Sequence, residues 1–166
     1  MVMIDLITGF LGSGKTTFLK KYAEYLMDQG LHIGILENDF GAINVDMLML
    51  HELRGDQCEL EMIAGGCDAE SHRRRFRTKL ISMRMCGYDR VLVEPSGIYD
   101  VDEFFDVLRE EPLDQWYEIG NVIAILDARL ENNLSQQADY LMASEAANAG
   151  KVILSHADAA TREQCE

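Results

Sequence analysis

The chain has 166 residues, a length suited to one domain, and its 48% hydrophobic and 27% charged content is that of a folding globular protein rather than a disordered or fibrous one. Fifteen Lys and Arg against 29 Asp and Glu give a net charge of −14, which argues against sequence-independent nucleic-acid binding because phosphates would be repelled. No stretch approaches the roughly 18 apolar residues of a membrane span, no Lys or Arg precedes the N-terminal apolar run, and four cysteines make no C-x-x-C pair, so a reduced cytoplasmic protein with no membrane contact is expected.

In chain order, Met3 to Thr8 reads as a first strand ahead of a glycine-rich turn. Phe18, Leu19, Tyr22, Ala23 and Leu26 then recur at spacings of three and four, marking a helix that stops near Gly30. Leu31 to Leu36 is a second buried strand. From Glu37 to Asp56 the reading stays open, since Met47 to Leu50 fit either a short helix or an ordered loop. Glu59 to Ile63 alternates as a strand that Gly65 and Gly66 end, and from about Ser71 the residues Phe76, Leu80 and Met83 line one side of a helix with a basic outer face. Arg90 to Val93 is a continuous apolar strand, after which Asp100 can cap a helix turning Val101, Phe104, Phe105 and Leu108 inward until Pro112 stops it. Val122 to Leu126 forms another strand, Leu134, Ala138, Leu141 and Met142 another helix, and Lys151 to Leu154 a last strand. This alternation predicts an α/β fold, a mostly parallel sheet with helices on both faces, built as one domain over residues 1–166.

Charge is uneven along the chain. Arg73, Arg74, Arg75, Arg77, Lys79 and Arg84 fall together with no acid among them, whereas residues 94 to 118 carry nine acids and one base. Such runs suit solvated helix faces, or else a docking patch for an acidic partner or for the acidic helix itself.

Gly9-Phe10-Leu11-Gly12-Ser13-Gly14-Lys15-Thr16 fits G-x-x-x-x-G-K-[ST] between a predicted strand and a predicted helix, the context that motif requires. Its glycines let successive N–H groups turn inward on phosphate oxygens, while the helix behind aims its positive end at the same charge. Gly9, Gly12, Ser13, Gly14 and Thr17 are thus phosphate-cradle candidates, Lys15 reaches the β- and γ-phosphates, and the Thr16 hydroxyl holds Mg²⁺. The motif predicts a three-layer sandwich of P-loop NTPase type. Hydrolysis, phosphoryl transfer and a non-hydrolysing switch stay open on these residues.

Phosphoryl transfer also needs a carboxylate at a neighbouring strand end, to help neutralise phosphates and place the attacking water. Glu94 ends the Val91-Leu92-Val93 strand and precedes Pro95-Ser96-Gly97, where the Gly97 N–H is placed to sense a γ-phosphate. Glu37 and Asp39 follow the second strand and also face the carboxyl ends, where α/β proteins bind ligands.

Thr8 to Thr17, then Glu37-Asn38-Asp39-Phe40-Gly41 with Asp46, then Glu94-Pro95-Ser96-Gly97, resemble the CobW family of SIMIBI-class P-loop GTPases in order and spacing. Asp127 also looks like that family's strand-end aspartate, a position where a simple turn former is equally natural. The resemblance implies GTP hydrolysis with Mg²⁺, Glu94 and Asp39 ordering water, and handling or delivery of zinc or cobalt to a client metalloenzyme, with a nucleotide-dependent homodimer as a further partner state. Two motifs depart from the family pattern. Its metal-binding C-x-C-C falls on Cys67-Asp68-Ala69-Glu70, which keeps one thiol, so a thiolate-rich zinc site cannot form there. Cys67 with Glu37, His72 or Cys58 is the remaining metal combination. The guanine motif Asn-Lys-x-Asp falls on Ser155-His156-Ala157-Asp158, where Asp158 can still accept hydrogen bonds from guanine and His156 can stack in place of the Lys stem. Against this family the chain reads as a truncated or minimal form without the separate C-terminal domain. An ATP-dependent small-molecule kinase and a nucleotide-gated adaptor docking through Arg73 to Arg84 are the alternative functions.

Overall fold

The strands alternate their apolar side chains between two cores, one on each side of a single sheet. The computed structural model describes residues 1–9, 12–39, 45–64, 68–94, 101–129, 143 and 146–161. Its elements are β1 (Val2–Thr8), α1 (Lys15–Asp28), β2 (Ile33–Asp39), α2 (Val45–His51), β3 (Cys58–Ala64), α3 (Ala69–Arg84), β4 (Arg90–Glu94), α4 (Val101–Leu108), α5 (Leu113–Trp116), β5 (Tyr117–Asp127) and β6 (Lys151–Ser155). The six strands lie in the order β3-β2-β4-β1-β5-β6 and every pairing is parallel.

On one face Ile4, Leu6, Leu36, Val91 and Val93 pack against Phe76 and Leu80 of α3 and Phe104 and Val107 of α4. On the other, Ile7, Ile33, Ile35, Leu92 and Ile125 pack against Leu19, Ala23 and Leu26 of α1 and Leu50 of α2. The expected α/β sandwich is therefore the observed one. Among the described residues no helix is long and apolar enough to cross a membrane.

Several boundaries differ from the expected ones. β2 begins two residues late and runs through Glu37 to Asp39, because Leu31 closes the end of α1 and His32 bonds Asp89 instead: Gly30 (φ 81°) donates its N–H to Met27 O and Leu31 donates to Leu26 O, the Schellman pattern, while the His32 N–H donates to the Asp89 carboxylate at 2.8 Å. α3 starts at Ala69, two residues before Ser71, since the Asp68 carboxylate caps it by accepting the Ser71 N–H at 2.7 Å. α4 ends at Leu108, four residues before Pro112, and buries Val107 while Phe105 stays half-buried. The expected helix around Leu134 to Met142 and the Asp100 cap lie outside the described residues.

The largest difference is in β5, which starts at Tyr117 rather than Val122. Gly120 and Asn121, ahead of the expected Val122 start, form a bulge in which Ile4↔Ile119 is followed by Leu6↔Val122. Asp5 of β1, fully buried, closes it by accepting the Asn121 N–H at 2.7 Å. Its other oxygen accepts from Tyr22 Oη at 2.7 Å and Arg90 Nη1 at 2.9 Å. Burial, then the Asp5 hydrogen bond, raise the Tyr22 phenol above its ordinary value. A Cβ at Gly120 would sit 2.2 Å from Asp5 Oδ1, which is why glycine stands there.

The basic run of α3 meets the acidic segment directly. Arg73 and Arg77 both pair with Glu110, at 2.5 and 3.0 Å, and Arg77 also donates to the Glu111 carbonyl at 2.7 Å. Of the alternatives for this charge, docking to the chain's own acidic segment accounts for these two arginines.

Removing the cation beside a buried carboxylate is strongly destabilising. Arg90→Met should therefore lower stability in urea denaturation by about 3–5 kcal/mol. A loss under ~1 kcal/mol would show that Tyr22 and Asn121 suffice to hold Asp5.

Candidate nucleotide site

Because all strands run parallel, the carboxyl ends of β1, β2, β4 and β5 open on one rim of the sheet, and the loop from Gly9 to Lys15 crosses that rim. Gly9 holds φ 144°, and a Cβ there would fall 2.2 Å from the Ile125 carbonyl oxygen of β5, so only glycine lets the loop leave β1 this close to the neighbouring strand. Gly14 (φ 90°) precedes α1 with no side-chain cap, which leaves the first N–H groups of a 14-residue helix directed at the loop. Phe10 and Leu11 lie outside the described residues, Gly12 is exposed, and Ser13 is buried with no hydrogen-bond partner for its Oγ among the described residues. A buried hydroxyl and a helix start without a side-chain cap, both at the loop, suit an anion.

Lys15 and Thr16 begin α1 and are both only 7% exposed. Lys15 Nζ folds back over the loop and donates to Gly9 O at 2.7 Å. Thr16 Oγ1 donates to Glu94 Oε1 at 2.9 Å, bringing together two residues 78 apart in sequence. Glu94 lies two residues beyond Leu92, and Glu37 two beyond Ile35, so the period of two puts both carboxylates on the α1 side of the sheet. They are register partners in the β2–β4 pair and are 7% and 2% exposed. Two buried carboxylates beside a threonine hydroxyl form an all-oxygen donor set, and that hard chemistry fits Mg²⁺ rather than a thiophilic ion. Asp39 ends β2 on the same rim, and Gly97 lies outside the described residues.

Beside the loop is a cavity of about 260 Å³ whose walls include Gly14, Thr17, Phe18, Ile153, Ser155 and His156. His156, at φ 53°, is thus placed at the cavity, whereas Asp158 is exposed and is not part of its lining. A carboxylate in contact with His156 of this wall is Asp127, which accepts from the Arg129 backbone N–H at 2.9 Å and from its guanidinium at 2.8 and 3.0 Å, with His156 Nδ1 at 3.2 Å. Asp127 is therefore a turn former and a tether for His156 together. The Arg129 guanidinium holds the Asp127 carboxyl down at about 2.

The remaining metal combinations all include Cys67. Cys67 lies outside the described residues. Cys58 starts β3 opposite Ile33, at the far end of the sheet from Glu37, and burial, with Glu59 beside it, pushes its thiol up to about 11. His72 sits on the opposite face of the sheet, 3.4 Å from Glu103 of α4. Asp68 is engaged as the α3 cap. No group of three or more His, Cys, Asp or Glu able to hold a metal occurs among the described residues.

A glycine loop with Lys-Thr at its end, set between the first strand and first helix of a parallel sheet, defines a P-loop nucleotide-binding domain. The chain belongs to the CobW/HypB/UreG nucleotide-binding domain family, whose pattern matches residues 3–166. It is 28% identical over 164 residues to the zinc chaperone YeiR and 29% identical over 171 residues to the zinc chaperone YjiA, both of Escherichia coli K12, covering 98% and 96% of this chain. The chain spans about half the length of these curated relatives, 49% and 50%. In fold it is similar to Zn(II)-bound YjiA GTPase from E. coli, with a TM-score of 0.59 at 21% identity, over 99% of this chain and 52% of that one. It is likewise similar to the signal recognition particle receptor FtsY from Elizabethkingia anophelis in complex with GDP, with a TM-score of 0.64 at 16% identity, over 99% and 52%.

Because the folded Asp127 value lies below the ordinary 3.8, its pairing stabilises the fold at neutral pH, and that contribution is lost as pH falls from 3.8 through about 2. Arg129→Gln should move the Asp127 carboxyl, followed by carbon-13 NMR, back toward the ordinary carboxylate range. A midpoint that stays near 2 would assign the effect to His156 instead.

Proposed function

We propose that residues 1–166 act as one P-loop domain that binds GTP with Mg²⁺ and hydrolyses it to GDP as a nucleotide switch in the handling of zinc or cobalt for a client metalloenzyme. The observation that carries this reading is the 2.9 Å Thr16–Glu94 hydrogen bond beside Glu37, an oxygen-donor set at the start of the helix that follows the phosphate loop. In this reading the N–H groups from Gly9 and Gly12 to Thr17, with the Ser13 hydroxyl, bind phosphate oxygens. Lys15 exchanges its contact with Gly9 O for the phosphate chain and stabilises charge as it develops on the leaving group. Thr16, Glu94 and Glu37 would hold Mg²⁺, which when bound neutralises phosphate charge and lowers the cost of attack by water. Asp39 orients that water, and the Gly97 N–H reports the γ-phosphate. The purine base occupies the cavity beside His156, with Asp158 available to guanine from the turn after β6.

Transition-metal handling is supported by the kinship with proteins named zinc chaperones. The metal is cargo here, with Cys67 and Glu37 as its candidate ligands. A cytoplasmic setting and a nucleotide-dependent homodimer belong to the same proposal.

Phosphate release from GTP in Mg²⁺ should be measurable for the chain and fall by roughly a hundredfold or more in Lys15→Ala, whose folding is checked by circular dichroism. Turnover unchanged in that variant would overturn the site. Glu94→Gln should raise the Mg²⁺ concentration needed for half-maximal turnover, and an unaltered requirement would remove Glu94 from the metal's shell. Zinc retained differently in the GDP and GTP states, measured by equilibrium dialysis, is expected. No retention in either state would overturn the metal-handling part alone.

A further inference from the structure

The cavity beside the phosphate loop is lined by apolar atoms of Ile125, Ile153 and Phe18 and by polar groups of Ser155, His156 and Lys21. Among the described residues its lining carries no carboxylate. Asp158 is exposed, stands outside that lining and lies within electrostatic reach of Arg129. What the cavity offers a base therefore differs from a carboxylate, whose two oxygens accept from two neighbouring N–H groups at once.

The protonation of His156 follows from its neighbours. Its Nδ1 lies 3.2 Å from Asp127 Oδ2 and 3.2 Å from Ser155 Oγ. Asp127 is ionised at neutral pH, since the Arg129 guanidinium holds its carboxyl down at about 2, and so it has no hydrogen to donate. Ser155 directs its hydroxyl hydrogen to the Leu126 carbonyl at 3.2 Å. Both neighbours can then only accept, which assigns the hydrogen to Nδ1 and leaves Nε2 of the neutral imidazole with a lone pair. The same contacts fix the ring. His156 holds φ 53°, and its Cε1, the atom bonded to Nε2, lies 4.0 Å from the position a Cβ on Gly14 would take. The imidazole is thus tethered at Nδ1 and meets the last glycine of the phosphate loop at Cε1, with Nε2 next to it.

An acceptor at Nε2 and an ammonium donor at Lys21 complement a purine that carries hydrogen on N1 and oxygen on C6. We propose that His156 Nε2 is the base-reading group of this chain, accepting from N1–H of 6-oxopurines, so that guanine and hypoxanthine bind alike and adenine is rejected. Adenine would bring the lone pair of its N1 against that of Nε2, and an amino group toward Lys21. The 2-amino group of guanine is left unread, because one acceptor answers one donor. Asp127 is a positioning residue, setting the tautomer on which the discrimination depends. The inference rests on the nucleotide reading and names the base-selecting group of that site.

The test is calorimetric titration of the full chain, in Mg²⁺ at about pH 8, with GDP, IDP and ADP, which undergo no turnover, and with inorganic pyrophosphate. IDP should bind within about threefold of GDP, and ADP about tenfold or more weaker. His156→Ala should bring the three diphosphates within about threefold of one another. Asp127→Asn, whose amide can donate to Nδ1 and move the hydrogen to Nε2, should lower the GDP-to-ADP affinity ratio by about tenfold or more, an effect that loss of packing alone would not produce. Circular dichroism checks the folding of both variants, and the parent ratios decide the matter where one fails to fold. GDP tighter than IDP by about tenfold or more would show that the 2-amino group is read and overturn the proposal. ADP binding equal to GDP, or the parent ratios persisting in His156→Ala, would overturn it too. Pyrophosphate bound with no gain from any base would overturn this inference and leave the phosphate loop standing. Binding of none of the four would overturn the nucleotide reading and this inference with it.

Discussion

Two carboxylates buried side by side are the constraint around which the rim of this sheet is arranged. Glu37 and Glu94 occupy matched positions on adjacent central strands, both nearly inaccessible to water. Like charges at that spacing are tolerated only where positive potential is supplied. Lys15, the start of α1 and the Thr16 hydroxyl are delivered to the place by the same loop, and the all-oxygen donor set leaves room in the chemistry for one hard cation. In the proposed reading phosphate lies against the loop's N–H groups and Mg²⁺ against the carboxylate pair, so the two are bound side by side at one rim.

The parallel register is what makes this possible. Leucine and isoleucine at Leu92 and Ile35 lock their strands against α1, and the period of two then commits Glu94 and Glu37 to the same side. The bulge in β5 belongs to the same economy of position. By taking an extra residue at Gly120 and Asn121, β5 realigns with β1 so that Thr8 pairs with Ala124 and the Ile125 carbonyl meets Gly9. Asp5, buried one turn of side-chain alternation from the core, fixes that realignment.

Much of this was legible in the sequence because it is local. The phosphate loop is contiguous, and β1, β4 and β6 announce themselves as apolar runs, β3 by alternation, each within a residue or two of the observed ends. Glu94 was recognisable from its place after Val91 to Val93, and the hydrogen bond to Thr16 realised that placement. What escaped depends on neighbours. The start of β5 at Tyr117, five residues before the expected Val122, depends on the bulge at Gly120 and Asn121, whose partner Asp5 is on another strand. The Asp127, Arg129 and His156 cluster joins the ends of β5 and β6, which are adjacent only in space, while Asp158, the acid the motif pointed to, is exposed. Cys58 and His72 stand away from Glu37, at the far end of the sheet and on its other face, while their pairing with Cys67 falls on a residue outside those described.

The central claim is that the rim of the sheet binds a triphosphate and Mg²⁺ as one unit. Calorimetric titration of the chain with GTP, with and without Mg²⁺, and with ATP in parallel, tests it most directly. The account predicts saturable one-site GTP binding that is tighter than that of ATP and weakens by about tenfold or more when Mg²⁺ is chelated. GTP affinity indifferent to Mg²⁺, or no binding of either triphosphate, would contradict it.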